Sequence, residues 1–459
     1  MIFSSIPFLY YFLPVVLLVY GLTPRVGKNA VLLLFSLVFY GWGEPKYLAV
    51  MLVCTALGYG FGLALGRAGR PGVRKALLAA SVLSSLSFLV YFKYADFFLS
   101  NFNALTGASL PLLQLTLPVG ISFYTFQILS YTVDVYRGEA QVQKNPIDLA
   151  CYVTMFPQLI AGPIVRYTDV AEQLKQRGRG DFQKGASRFL VGLGKKILFA
   201  NLLGEVCAAW RGTQDGSVLF SWLYALSYTL HIYFDFSGYS DMAIGLGALL
   251  GFRFPENFNY PYIAASVTDF WRRWHMTLSR WFRDYVYIPM GGSRVSRWRW
   301  VLNILTVWML TGLWHGAAWN FVLWGLLFAA LLLAEKWIPV LQRLPGVLRH
   351  GYVLLAVVLS FVLFNADSLA QAGQDFAGLF GFGSLSLTSA ETLYYLKSYA
   401  VLFVLGILGS TPVVKNAARR MDGTKAGVVL EAAAMLALLI VCTAYLVDGS
   451  FSPFLYFRF

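Results

Sequence analysis

Two histidines stand in patterns that could support proton transfer. The first, His315, lies between two apolar runs, in the Leu-Trp-His-Gly-Ala segment 313–317. An ionisable side chain at membrane depth is costly, and it usually faces the protein interior and serves function. A neutral imidazole accepts a proton near physiological pH, so His315 could act as a general base. The structural alternative is that Gly312 and Gly316 let helices pack closely and that His315 only hydrogen-bonds between them.

The second histidine, His275, lies in a segment rich in tryptophan and arginine. From Trp271 to Tyr285 the aromatic residues recur at helical spacing, which predicts one helix with an aromatic face and with Thr268 or Asp269 as its N-cap. Such a helix could lie in the membrane interface as an anchor, with His275 packed among aromatic rings. It could also form the mouth of a cavity, where the arginines attract an anionic donor, because a guanidinium matches phosphate oxygens.

A third polar segment contains Asp235 and Asp241, with two serines, a glycine and two aromatic residues between them, in apolar surroundings. Two carboxylates in this setting suggest a broken helix that lines a polar cavity. The alternative is a structural turn in which the aspartates cap a helix. A metal site that adds His231 matches no standard ligand spacing, and we predict no metal.

The elements that must position these residues are membrane helices. Of the 459 residues, 58% are hydrophobic and only 13% are charged, whereas soluble domains carry about 25% charged residues. Three apolar segments, 115–135, 147–163 and 239–251, are interrupted by Gly, Pro or Asp and are predicted to be broken or re-entrant helices. About eleven further segments suit spanning helices of ~20 residues: 5–22, 28–42, 47–66, 76–95, 189–208, 218–234, 300–313, 318–338, 351–365, 396–412 and 426–447.

The net charge of +14 is concentrated in loops between apolar segments. Basic loops such as 166–188 and 413–425 are expected on the cytoplasmic side, facing anionic lipid, and this distribution argues against a nucleic-acid partner. Residues 367–391, which contain no Lys or Arg, and the tail 451–459 are then expected on the outer side. The sequence therefore predicts an all-α polytopic membrane protein.

Several motifs together resemble the membrane-bound O-acyltransferase family. They are the Phe-Trp-Arg-Arg-Trp-His segment 270–275, the Tyr-Ile-Pro-Met-Gly-Gly turn 287–292 and the segment around His315. The Asp235–Asp241 patch and segments 251–258 and 156–163 resemble its bacterial branch, which includes alginate, peptidoglycan and teichoic-acid acylation proteins, and the alginate O-acetylation type most of all.

The resemblance implies one domain over residues 1–459, with core motifs in 115–340 and with C-terminal helices and an extracytoplasmic tail in 341–459. It implies a ring of about eleven tilted transmembrane helices, with re-entrant and interfacial helices, around a central tunnel. It assigns the family's invariant histidine to His315 and its second motif histidine to His275. The protein is then a multi-pass protein of a bacterial inner membrane.

The implied reaction moves an acyl group, acetyl in the first instance, from a cytoplasmic thioester across the membrane. The donor is acetyl-CoA or an acyl carrier protein, with no tightly bound cofactor. The acceptor is an extracytoplasmic SGNH or serine esterase-like partner, placed at the 366–395 loop and the tail, which O-acylates a polysaccharide such as alginate.

Within this reaction His315 could act as a base or carry the acyl group covalently, and either His275 or the indoles of Trp314 and Trp319 could orient the donor or the oxyanion.

Two other function classes remain open: a lipid or protein acyltransferase that acts directly, and a transporter or flippase without acyl chemistry. The residues predicted to line the substrate tunnel are Trp271, Arg272, Arg273, Trp274, Trp314, Trp319, Asn320, Asp235 and Asp241.

Overall fold

The structure is a computed structural model that describes residues 1–213, 216–382, 385–421, 423–449 and 454–455, with side chains except those of 341 and 342. Within these residues the chain is α-helical, and one isolated parallel bridge joins Ser217 to Ser386. In the N-terminal part the helices are α1 Leu13–Leu22, α2 Lys28–Gly43, α3 Leu48–Arg67, α4 Pro71–Leu89, α5 Ala95–Thr106, α6 Ile121–Arg137, α7 Pro146–Thr154, α8 Phe156–Leu159, α9 Tyr167–Lys175, α10 Phe182–Gly194 and α11 Leu202–Gly212.

The remaining helices contain the three segments singled out by the sequence. They are α12 Val218–Leu249, α13 Val267–Arg273, α14 Met276–Phe282, α15 Arg297–His315, α16 Trp319–Trp337, α17 Val340–Arg343, α18 Gly346–Asn365, α19 Leu369–Phe380, α20 Ala390–Gly409, α21 Val413–Arg419 and α22 Lys425–Val447. Short π-helical turns extend or join some of them, including Lys195–Asn201 between α10 and α11 and Arg283–Tyr287 after α14.

In the described part of the chain, seven helical stretches are long and apolar enough to cross a membrane. The surface of the Lys425–Val447 stretch agrees with that role: only 6% of its most apolar window is buried inside the protein, so its apolar side chains face outward, as they do towards lipid. The prediction of about eleven spans stays a prediction. The seven stretches are Arg25–Gly43, Pro45–Arg67, Pro71–Thr106, Trp319–Trp337, Gly346–Asn365, Ala390–Gly409 and Lys425–Val447.

The chain divides into two compact units. The first comprises residues 1–189 and 240–256, and the second comprises residues 190–239 and 257–459. His275, His315 and Asp235 all belong to the second unit, whereas Asp241 belongs to the first. The single domain over residues 1–459 stays a prediction.

The prediction of a break near Asp235–Gly247 is wrong, because α12 runs unbroken from Val218 to Leu249. The polar side chain of Asp235 has a partner outside its own helix, the ammonium group of Lys196 at 2.6 Å, so the backbone need not open to satisfy it. Gly238 lets helices approach, since a Cβ there would lie 2.8 Å from the carbonyl oxygen of Gly192. The small and polar residues of this segment therefore allow α12 to pack closely against the segment that contains Gly192 and Lys196.

The prediction of one helix from Trp271 to Tyr285 is also wrong. The helix stops at Arg273 and restarts at Met276, and His275 between them adopts left-handed backbone angles, with φ 44°. Segment 257–259 stabilises the break through two backbone hydrogen bonds, Met276 N–H to Asn257 O at 3.0 Å and Asn259 N–H to Arg273 O at 2.9 Å.

The N-cap of α13 is Ser266, not Thr268 or Asp269. The Ser266 hydroxyl accepts from the Asp269 N–H at 2.9 Å. The buried carboxylate of Glu335, from α16, accepts from the N–H groups of Val267 and Thr268. An acidic partner suits the positive end of a helix, so α16 fixes where α13 begins.

Helices α15 and α16 form a hairpin in backbone contact. A Cβ at Gly312 would overlap the carbonyl oxygen of Phe321, and one at Gly325 would overlap the carbonyl oxygen of Trp308. Gly312, about one helical turn before His315, thus has a packing role of the kind expected between membrane helices. Because the hairpin is this close, it places His315, the last residue of α15, against the side chains of α16.

Candidate functional site

His315 is buried among aromatic rings in the second unit, with 7% of its surface exposed. Its ring centroid lies 5.0 Å from that of Trp314, 5.2 Å from that of Trp324 and 5.1 Å from that of Phe364, all at angles near perpendicular. Edge-to-face geometry at these distances is favourable. Three aromatic side chains therefore hold the imidazole in a defined orientation.

A cavity opens beside His315, and residues of the second unit form its walls. The walls are mostly aromatic, with the Asp235 carboxylate as the charged group. About 20 Å³ is free, close to the room that one or two water molecules need. A small apolar cavity with a few polar groups is typical of sites that bind small ligands. Its lining residues are Ile232, Asp235, Phe236, Trp274, His315, Trp324, Phe361, Phe364 and Leu455.

His275 lies next to this cavity without being among its lining residues. Its ring packs edge-on against Phe236 at 4.6 Å, and it lies 5.8 Å from Trp314, which also contacts His315. The two histidines are thus linked through one shared tryptophan. Burial lowers the pKa of His275 well below its usual value, and the nearby imidazole of His315 acts in the same direction.

Asn257 holds His275 in place. Its side-chain oxygen lies 3.1 Å from His275 Nδ1 and accepts from the hydroxyl of Thr277 at 2.8 Å. With an amide oxygen opposite it, Nδ1 carries the proton, and the hydrogen bond fixes the tautomer as well as the ring direction. Asn257 follows a proline-containing loop, and no spacing rule points to it.

Asp235 contributes a buried ion pair to the cavity wall. One carboxylate oxygen accepts from Lys196 at 2.6 Å, and the other accepts from the backbone N–H of Leu455 at 2.9 Å. Lys196 also lies 4.6 Å from the ring centroid of Phe454, which packs edge-on against Tyr239 at 4.8 Å. The ion pair therefore anchors these two C-terminal residues. The other tail residues of the sequence prediction, 451–453 and 456–459, lie outside the described residues.

Several of the residues predicted to line a tunnel do not line this cavity. Trp319 begins α16 with 51% of its surface exposed. Asn320 donates to the carbonyl oxygens of Phe364 and Ala366, so it ties α16 to the end of α18. Neither is among the residues around the cavity, because the chain turns sharply between His315 and the start of α16.

The arginines and the remaining tryptophans also lie outside the cavity wall. Arg272 is exposed, and Arg273 pairs with Asp269 at 2.9 Å. Trp271 packs edge-on against Trp308 at 4.6 Å, and Trp314 lies between the two histidines. Of the residues predicted to line a tunnel, the cavity brings together Asp235 and Trp274 with His315.

Asp241, the other predicted carboxylate, makes ion pairs in the first unit. Arg188 bonds to it at 2.7 Å and reaches Glu256 at 2.6 Å. Among the described residues, no group of three or more His, Cys, Asp or Glu side chains is placed to hold a metal ion. His231 instead contacts the carbonyl oxygen of Ala200 through Nδ1.

The model of the family described as "MBOAT, membrane-bound O-acyltransferase family" matches residues 28–370. This chain belongs to that family. The range includes both histidines, both motif segments and every helix from α2 to α18. The chain is therefore a multi-pass membrane enzyme, an O-acyltransferase.

Curated relatives extend the similarity over the whole chain. The "Probable alginate O-acetylase" of Azotobacter vinelandii is 38% identical, with all of both chains covered. The "Peptidoglycan O-acetyltransferase" of Helicobacter pylori is 31% identical over all of this chain and 98% of its own. The "Teichoic acid D-alanyltransferase" of Bacillus subtilis is 30% identical over 53% of this chain and 65% of its own.

Replacing Asn257 with alanine is expected to slow acyl transfer by roughly ten-fold or more, since a buried donor left without its partner costs about 1–3 kcal/mol. Asn257→Asp keeps an acceptor beside His275 and adds a charge that raises the imidazole pKa, so it should retain more activity and move the pH profile upward. The rate of acyl transfer against pH checks both. A wild-type rate and profile in Asn257→Ala would show that His275 needs no such support.

Proposed function

We propose that this protein transfers an acetyl group from a cytoplasmic thioester, across a bacterial inner membrane, to an extracytoplasmic partner that O-acetylates a cell-surface polysaccharide. The observation that carries the proposal is the burial of His315 at a small aromatic cavity, in a chain similar over its full length to an alginate O-acetylase. The little free space favours an acyl group of few carbons. The donor is acetyl-CoA or an acyl carrier protein, used as a substrate and not as a bound cofactor.

In the proposed step, the hydroxyl oxygen of the acceptor attacks the thioester carbonyl carbon. A C–O bond forms, the carbonyl π electrons move to the oxygen, and the hydroxyl proton moves to the imidazole of His315. When the oxyanion collapses, the C–S bond breaks, and the sulfur leaves with that proton as a thiol. The imidazole returns to its neutral form, so atoms and charge balance over one cycle.

The aromatic walls support this assignment because apolar surroundings suit a neutral imidazole and limit the entry of bulk water. A neutral imidazole is the form that can accept a proton, and low polarity disfavours its charged form. Exclusion of bulk water limits hydrolysis of the thioester, which would compete with transfer. The acceptor is proposed to be an SGNH or serine esterase-like protein, whose serine hydroxyl would then pass the acetyl group on to the polymer.

The proposal is tested first in the host. Deletion of the gene should bring base-labile acetyl esters on the surface polysaccharide to background, and the wild-type chain should restore them. Full acetylation in the deletion strain would overturn the proposed function. In nanodiscs, the purified chain should release thiol from labelled acetyl-CoA when an acceptor hydroxyl is supplied, whereas substrate counterflow without thiol release would identify a transporter.

A further inference from the structure

Trp324 has a feature that neither the family match nor the motifs assign. It lies on α16, only 1% of its surface is exposed, and it is one of the residues that line the His315 cavity. Its ring stands at 84° to that of His315, with centroids 5.2 Å apart. The packing therefore places an indole and an imidazole side by side at the same small cavity.

The indole N–H of Trp324 is buried and has no hydrogen-bond partner among the residues that the structure describes. Buried indole N–H groups usually have a partner, because leaving one unsatisfied costs about 1–3 kcal/mol. Elsewhere in the same unit, Trp222 donates to the carbonyl oxygen of Leu379 at 2.9 Å and Trp300 donates to the hydroxyl of Tyr287 at 3.2 Å. Trp271 also lacks a partner in the described chain, but it does not line the cavity.

Besides Trp324, the side chains around the cavity that carry an N–H group are those of Trp274 and His315. Of the two indoles, that of Trp324 packs directly against the His315 ring, with centroids 5.2 Å apart. The Asp235 carboxylate only accepts, and its two oxygens already bond to Lys196 and to the N–H of Leu455. The phenylalanine and isoleucine walls have no polar atoms. His315, if it accepts the hydroxyl proton through one nitrogen, cannot use that nitrogen as a donor to the carbonyl oxygen at the same moment.

We propose that Trp324 is a further catalytic residue, whose indole N–H donates a hydrogen bond to the acyl carbonyl oxygen as negative charge develops there. No proton is transferred, since an indole N–H acts as a donor only. The ligand supplies the partner that the N–H lacks among the described residues, and the bond strengthens in the transition state because the oxygen becomes charged. The inference rests on the proposed function, with His315 as the base and Trp324 as the stabiliser of the oxyanion.

The test compares full-length variants in membranes, with labelled acetyl-CoA as the donor and thiol release as the readout. Trp324→Phe should lower kcat by about 100-fold, the size expected for one lost oxyanion donor, with a much smaller change in KM. Incorporation of benzothienylalanine at position 324 keeps the shape of the side chain and removes only the N–H, so it should lower kcat to a similar extent. Trp308→Phe is the matched control, because Trp308 packs in the same aromatic cluster, 5.6 Å from Phe328, and does not line the cavity.

The outcomes separate the alternatives. A benzothienylalanine enzyme with wild-type kcat would overturn the role of the N–H, even if Trp324→Phe were slow. If Trp324→Phe and Trp308→Phe lowered kcat equally while the enzyme with benzothienylalanine at position 324 stayed active, the role of Trp324 would be limited to packing. A wild-type chain that is inactive with acetyl-CoA counts against the proposed donor, and the same variants are then ranked by the rate at which acetyl esters appear on whole cells.

Discussion

Replacing His315 with alanine is expected to abolish acyl transfer while the protein remains folded in the membrane. Loss of a positioned general base costs about 10²- to 10⁴-fold in rate, and the upper end applies where a water molecule cannot take its place. The walls of this cavity are mostly apolar, and the carboxylate of Asp235 already accepts hydrogen bonds from Lys196 and from the N–H of Leu455, so it is poorly placed to replace the imidazole as a base. The measurement is the acetyl-ester content of the surface polysaccharide, with thiol release in membranes as a second readout.

Two further variants make this result specific. His315→Gln fills most of the space and can hydrogen-bond, but it cannot accept a proton at neutral pH, so it should be as inactive as the alanine variant. His350→Ala serves as the control, because His350 is only half-buried and its Nδ1 contacts the backbone oxygen of Ala264 at 3.1 Å. Normal acetylation by His315→Ala, at equal protein level, would remove the basis of the proposed mechanism.

Replacing Lys196 with methionine is expected to reduce the amount of folded protein strongly. The ammonium group of Lys196 is fully buried and the Asp235 carboxylate is 2% exposed, and breaking such a pair by removing one partner costs about 3–5 kcal/mol. The change leaves a buried carboxylate whose remaining partner is the N–H of Leu455. The fraction of detergent-solubilised protein that stays monodisperse after mild heating measures the effect.

Lys195→Met is the matched control for that variant. Lys195 is the neighbouring residue in the same π-helical turn, but it is only partly buried and its ammonium group lies 5.9 Å from the ring centroid of Tyr233, so its replacement should cost much less stability than that of Lys196. If Lys196→Met were as heat-resistant as Lys195→Met, the ion pair between Lys196 and Asp235 would not contribute to the stability of the folded protein.

A double variant separates the structural role of the ion pair from its role at the cavity. Lys196→Met with Asp235→Leu removes both charges, and an apolar pair of similar size is often as stable as a buried ion pair. Folding should therefore recover. Activity should not, because the Leu455 N–H loses its acceptor and the wall beside His315 is no longer anchored. Recovery of both would mean that the C-terminal contact is dispensable for transfer.

The sequence alone determined the class of the protein, the family and the positions of most helices. These properties are local: a run of about 20 apolar residues must form a helix in lipid, wherever the rest of the chain lies. The predicted segments 28–42, 318–338 and 426–447 accordingly fall within a residue or two of α2, α16 and α22. The burial of His315 follows in the same way, since a histidine within an apolar segment must face the protein interior.

The breaks in helices were decided by contacts between residues far apart in the chain. Periodicity predicted one helix through His275, but Asn257 and its neighbours bond to the interrupted backbone and hold His275 at positive φ. The composition around Asp235 predicted a broken helix, but Lys196 satisfies the carboxylate and α12 continues. Local patterns cannot identify these partners, because each partner belongs to a different segment.

The cavity beside His315 could be found only in the tertiary structure. Its walls come from α12, α16, α18, the turn before His275, and Leu455 near the C-terminus. The spacing around His315 favoured Trp314 and Trp319 as neighbours, whereas the hairpin between α15 and α16 exposes Trp319 and places Trp324 at the cavity. Sequence could name the histidine because the cost of burying a charge is a property of one residue, but its companions depend on how five separate segments pack.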